Sequence, residues 1–108
     1  MPASPDVAQL QRRVREFARA RDWERFHTPK NLAMALVAEA GELVEQFQWL
    51  TPDESVLLSE DRRLAVEDEV ADVLIYLVRL ADVVGIDILS AASAKVERNE
   101  QRFPRPRG

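Results

Sequence analysis

Two pairs of carboxylates carry the sharpest chemical signal in this sequence: Glu39 with Glu42, and Glu69 with Asp72, each pair three residues apart. Residues three or four apart share one side of a helix. In a helical reading Leu32, Leu36, Leu43, Phe47 and Leu50 fall along one apolar stripe, with Glu39 in its middle. Glu42 lies at the margin of that stripe beside Ala35 and Ala38, whereas Glu45 points elsewhere. The second pair follows the same logic. Val66, Val70, Val73, Leu77 and Val84 form an apolar centre, Glu69, Asp72 and Tyr76 run along its edge, and Glu67, Asp68, Arg79 and Asp82 take the opposite side. An ionised carboxylate in a core is costly unless it is paired or bound to a metal. Two inward acidic pairs therefore call for a cation, and a hard dication such as magnesium suits oxygen ligands.

Farther along, Lys95, Asn99 and Arg102 share a side with Ile88, Ala92, Val96 and Phe103. A basic and polar stripe of this kind suits phosphate oxygens. Carboxylates for magnesium beside donors for phosphate make up the set that phosphoryl or nucleotidyl chemistry requires. The same spacing is equally compatible with a salt-bridge network in which Lys95 and Arg102 neutralise the acids, and periodicity leaves the two readings open.

The elements that position these residues follow from capping signals. Thr28-Pro29, Thr51-Pro52 and Asp87 each place a capping residue ahead of a helix-favouring run, and Gly85 stands where a helix would end. The spacing predicts four helices, about Asp6–Arg21, Pro29–Leu50, about Glu60–Val84 and about Asp87–Arg102, with a short helical turn over Pro52–Leu58. Sustained period-two alternation is missing, so no sheet is expected. The fold class predicted is all-α, a single domain over residues 1–108 with loose ends at about 1–5 and 104–108.

Composition narrows the function. The 108 residues are 46% hydrophobic and 31% charged, which suits a soluble globular chain. A formal net charge of −4 gives no general attraction to nucleic-acid backbone. The chain has no cysteine, so disulfides, thiolate zinc sites and cysteine nucleophiles are excluded. A secretory signal and a run of about 18 uncharged apolar residues are both lacking, which makes a cytoplasmic protein without a membrane span the expectation. So small a chain buries a modest core, and self-association would extend it.

Three segments resemble the MazG-like nucleoside triphosphate pyrophosphohydrolases, and most of all their all-α branch that includes the dCTP pyrophosphatases. They are Arg21-Asp22-Trp23-Glu24-Arg25-Phe26-His27 leading into Pro29-Lys30-Asn31-Leu32; Glu39-Ala40-Gly41-Glu42-Leu43 with Gln46-Phe47-Gln48-Trp49; and Glu69 to Tyr76, followed by Lys95, Asn99 and Arg102-Phe103-Pro104. The resemblance implies a helical bundle completed by oligomerisation, as a dimer or as a tetramer made from two dimers. It implies magnesium held by Glu39, Glu42, Glu69 and Asp72, with Tyr76, Lys95, Asn99 and Arg102 near the phosphates. Trp23, Phe26, His27 and Trp49 would then surround base and sugar, in a pocket that a neighbouring subunit completes. The two tryptophans taken alone read equally as core or interface residues, and His27 alone as a loop residue before a helix cap.

The implied reaction is attack of water on the α-phosphorus of a nucleoside triphosphate, with pyrophosphate leaving and a monophosphate remaining. Glu39, deepest in its apolar stripe, is the first candidate for the base that takes the water's proton, and Glu42 the alternative. A pyrimidine deoxynucleotide, dCTP or a modified form, is the substrate favoured by the resemblance. Two other readings compete: phosphoribosyl-ATP as substrate of the same metal site, and a non-catalytic helical dimerisation module.

Overall fold

A computed structural model describes residues 5–106 of the chain. Of the loose ends expected at 1–5 and 104–108, residues 1–4 and 107–108 lie outside the described residues. The elements are α1 (Val7–Ala20), α2 (Pro29–Glu45), α3 (Pro52–Ser55), α4 (Glu60–Val84) and α5 (Ile88–Arg102), with a 3-10 turn over Glu24–Phe26 between α1 and α2. No strand occurs among the described residues, as an all-α fold requires.

Thr28, Thr51 and Asp87 cap helices as their spacing predicts, and Asp6 and Ser59 do the same for α1 and α4. Asp6 Oδ1 accepts from the Gln9 amide and Gln9 Oε1 accepts from the Asp6 amide, a reciprocal capping box. Thr28 caps α2 through the Asn31 amide, with Pro29 supplying a preset φ in the first turn. Ser59 caps α4 and Asp87 caps α5 in the same way.

The second helix stops earlier than expected, at Glu45 and not Leu50. Thr51 precedes Pro52 and is extended, with φ −73° and ψ 162°, because the proline ring disfavours the helical region for the residue before it. Residues 46–50 therefore tighten into successive turns, in which the Phe47 amide donates to the Val44 carbonyl and the Leu50 amide to the Phe47 carbonyl. Arg62 of α4 donates to the Gln46 carbonyl, which the helix end would otherwise leave without a partner. The predicted turn over Pro52–Leu58 is helical only as far as Ser55.

Two helix ends reverse the chain through left-handed residues. After α1, Asp22 adopts φ 55°, the Trp23 amide donates to the Ala18 carbonyl at 2.9 Å and the Asp22 amide to Arg19 at 3.1 Å. After α4, Gly85 at φ 76° serves the same purpose, with the Ile86 amide donating to Ala81 at 2.8 Å. The first reversal matters for the site because it sets Trp23 edge-on to Phe17, ring centroids 5.5 Å apart.

Packing is dominated by α2 on α4, and secondarily by α1 on α4. The most buried apolar side chains, Ala18, Leu32, Val78 and Ala81, mark those two contacts. The apolar centre read from the sequence for α4 needs correction: Val70, Leu77 and Val84 are exposed, whereas Val78 and Ala81 are buried. Arg79, expected on the outer side, is buried too, and Asp82, expected beside it, is half-buried, because α4 meets two partners and so has two inner faces. Arg15 of α1 donates two hydrogen bonds to Asp82, at 2.8 and 2.6 Å, Gln11 a third at 2.6 Å, and Arg79 a fourth at 3.2 Å. These four donors hold the Asp82 carboxyl well below the ordinary aspartate value, at about 2, with the Arg15 bond the largest cause.

One chain thus supplies three packed helices, not the four of a closed bundle. Helix α5 projects from the core, with most of its residues exposed, and the radius of gyration is 17.2 Å. A compact domain of this length would have a radius of roughly 13 Å.

Candidate active site

Of the four carboxylates singled out by spacing, three converge closely. Glu39 on α2 and Glu69 and Asp72 on α4 each offer an oxygen, and these oxygens lie within 4.8 Å of one another. Glu42 is exposed at the rim, near enough to influence both glutamates. Glu39 is pushed above the usual carboxylate range, chiefly by burial and then by Glu42 and Asp72. Glu69 is raised to about 7, again by burial first and then by the surrounding negative charges. The Oε2 atoms of Glu39 and Glu69 are buried and have no hydrogen-bond partner. Buried acceptors with nothing to accept from, facing one another across a helix pair, fit a hard dication well. Neutralising salt bridges from Lys95 or Arg102 are not formed: neither residue takes part in an ion pair among the described residues, and both are exposed on α5.

Beside this cluster lies a cavity of about 200 Å³. Asp72 belongs to both, since it also lines the cavity together with Trp23, His27, Tyr76, Arg79 and the apolar Val14, Phe17, Ala18 and Ile75. Trp23 and His27 stand edge to face, with centroids 6.4 Å apart and planes at 61°. The cavity is therefore aromatic on the side of α1 and the Trp23–His27 segment, and on the α4 side it carries one carboxylate, Asp72, and one guanidinium, Arg79, with Tyr76 between them in sequence. A larger open groove of about 570 Å³ runs between the start of α1 and the α4–α5 junction. Its lining includes neither the carboxylate trio nor any of the aromatic candidates.

The remaining sequence candidates are spread out. Phe26 is exposed in the 3-10 turn with the Arg25 guanidinium over its ring, 4.7 Å from the centroid. Trp49, 87% exposed, follows the end of α2 and does not line the cavity. Lys95 and Arg102 are exposed and Asn99 half-buried on the projecting α5. Within one chain, then, the structure assembles Glu39, Glu42, Glu69, Asp72, Tyr76, Trp23 and His27 and leaves Phe26, Trp49, Lys95, Asn99 and Arg102 apart. Sequence reasoning missed Arg79, whose Nε donates to His27 Nδ1 at 3.0 Å inside the cavity wall. Its signal was available, because Asp72, Tyr76 and Arg79 follow one another at i, i+4 and i+7 on one helix face.

Residues 34–108 match the MazG-like family, and the chain belongs to that family. The match takes in both carboxylate pairs and leaves α1 and the Trp23–His27 segment outside it. Curated relatives extend the similarity over these parts too. The chain is 44% identical over 105 residues to dCTP pyrophosphatase 1 of Bos taurus, covering 94% of this chain and 62% of that protein. Against dCTP pyrophosphatase 1 of Homo sapiens the identity is 45% over 102 residues, with 93% of this chain and 60% of the relative covered. The chain thus spans about 60% of the length of these relatives. A solved pyrophosphatase from Archaeoglobus fulgidus superposes with a TM-score of 0.87 at 42% identity, covering 97% of this chain and 98% of that one.

Proposed function

We propose that the chain hydrolyses a nucleoside triphosphate from the cytoplasmic pool to the monophosphate and pyrophosphate, with magnesium as cofactor and dCTP or a related pyrimidine deoxynucleotide as preferred substrate. The observation that carries this reading is the shared position of Asp72, which belongs both to a carboxylate trio with two partnerless buried oxygens and to an aromatic-walled cavity. The resemblance to dCTP pyrophosphatase 1 supports the choice of base.

Glu39, Glu69 and Asp72 would hold the metal, with Glu42 completing the set from the rim. Magnesium bound there supplies charge neutralisation for the triphosphate and makes an attacking water more acidic. The chain's own residues do the rest. Glu39, half-buried and flanked by apolar side chains, takes the proton from the water that attacks the α-phosphorus, and the bond to pyrophosphate breaks. Trp23 and His27 take the nucleoside against the α1 wall, and Tyr76 lies where the phosphates enter between cavity and carboxylates. Trp49, Phe26, Lys95, Asn99 and Arg102 reach a substrate only from a second copy or after one docks.

A second copy is part of the proposal. Met34, Val37, Gly41 and Val44 form a continuous exposed stripe along α2 at i, i+3, i+7 and i+10, and Val70, Leu74 and Leu77 form another along α4. Apolar surface arranged in such stripes marks an interaction face. Light scattering at micromolar concentration is expected to give a dimer or tetramer, and a stable monomer would remove this part of the reading.

The activity itself is tested by pyrophosphate release from all ribo- and deoxynucleoside triphosphates and phosphoribosyl-ATP, with and without magnesium. Metal-dependent release ranked highest for a pyrimidine deoxynucleotide is the expected outcome. A preference for phosphoribosyl-ATP would overturn the substrate, and no release from any of them would overturn the reaction.

A further inference from the structure

The hydrogen bond between Arg79 and His27 has no place in the reaction as described, yet both residues line the nucleoside cavity. A guanidinium is donor only and stays protonated in proteins. When Arg79 Nε donates to His27 Nδ1 at 3.0 Å, Nδ1 must be the unprotonated, accepting nitrogen. The proton of the neutral ring is then on Nε2. Among the described residues no hydrogen bond engages Nε2, and it is not a buried unsatisfied atom, so on a ring that lines the cavity it is left open to solvent or a ligand.

Arg79 is itself held. It is 6% exposed, and its Nη1 donates to Asp82, whose carboxylate also takes the Arg15 and Gln11 bonds from α1. The guanidinium cannot swing away from His27 without breaking a part-buried ion pair. Burial and the Arg79 charge, outweighing Glu24, also hold His27 below its ordinary pKa, in keeping with a neutral ring.

We propose that Arg79 is a positioning residue: anchored by Asp82, it fixes the His27 ring in the Nε2–H tautomer, so that His27 presents a hydrogen-bond donor to an acceptor atom on the nucleoside. This rests on the reading of the cavity as the nucleoside site, but the tautomer does not. Ordering one donor before substrate arrives favours nucleosides that place an oxygen or unprotonated ring nitrogen there and penalises those that place a donor.

His27 is the sole histidine of the chain, so a ring-nitrogen correlation spectrum of the 15N-labelled full chain at neutral pH contains one set of signals. A protonated Nε2 with an unprotonated Nδ1 is expected. A proton on Nδ1, or a mixture of tautomers, overturns the proposal whether or not any triphosphate is turned over. In Arg79→Met the tautomers are expected to mix, and the Michaelis constant of the best triphosphate to rise about tenfold with kcat much less affected, as loss of one hydrogen bond implies. His27→Gln should raise it comparably, and the double variant no further. Additive effects, or an unchanged ring spectrum in Arg79→Met, would make Arg79 a structural residue only. If Arg79→Met does not fold, the wild-type spectrum still decides the tautomer.

Discussion

Glu39→Gln is expected to lower magnesium-dependent pyrophosphate release about 10²- to 10³-fold, the loss that several kcal/mol of transition-state stabilisation represents. The fold should survive, because the substitution removes charge from a cluster that suffers from too much of it. Burial, and after it the neighbouring Glu42, Glu39 and Asp72, push Glu69 up to about 7. A carboxyl raised above its unfolded value destabilises the folded chain at pH values above the folded pKa, and acidification relieves this between about 7 and about 4. The metal-free wild type should therefore melt higher at pH 5 than at pH 8, and Glu39→Gln should melt higher than wild type at pH 8. Magnesium should stabilise the wild type and leave the variant nearly unchanged. Calorimetry with and without magnesium, alongside the pyrophosphate assay, reads all of these. Full turnover in the variant would remove Glu39 from the site.

Asp82→Ala acts in the other direction. It removes the acceptor of four hydrogen bonds, a side chain only 10% exposed, and leaves the buried Arg79 without its carboxylate. Removing one partner of a buried pair costs several kcal/mol. Because Arg15 is 40% exposed and keeps much of its hydration, the lower end, about 2 to 3 kcal/mol, is expected. The sign with pH is opposite to that of the acidic cluster. A carboxyl lowered to about 2 contributes its full stabilisation above the ordinary aspartate pKa near 4, and that contribution disappears as pH falls from about 4 to about 2. Denaturant titrations of wild type and variant should differ most near pH 5 and converge toward pH 2. An equal gap at both pH values would mean that Asp82 acts through packing and not through its charge.

The helix starts at Thr28, Thr51 and Asp87 and the inward placement of Glu39 were legible in the sequence because each rests on local chemistry: a capping side chain, a following proline or a carboxylate in an apolar stripe. Glu42, expected inward with Glu39, is exposed because it lies at the margin of that stripe. Gln46–Leu50 was read as helix because its apolar residues keep helical period, while the constraint that ends the helix comes from Pro52, beyond the stripe. Arg79 and Asp82 were placed outside because a single stripe was assumed for α4; a helix that packs on two neighbours carries two, and one of them includes charged residues that satisfy each other. The isolation of α5 had no local signal either. Its polar and apolar faces describe a helix that packs on something, and periodicity does not say whether that surface belongs to the same chain.

The reversal at Asp22 and the α1–α4 ion pairs also bear on the order in which the chain folds. The carboxylate trio needs only α2 and α4, joined through residues 46–59, whereas Arg15 and Asp82 are 67 residues apart in sequence. Closing that longer loop costs somewhat more chain entropy, so α1 is expected to dock after α2 and α4 have packed. With the smaller of the two helix contacts, α1 is also expected to open first in local unfolding. The carboxylate half would thus form before the aromatic cavity wall, and transient opening would displace Trp23 while leaving Glu39, Glu69 and Asp72 together.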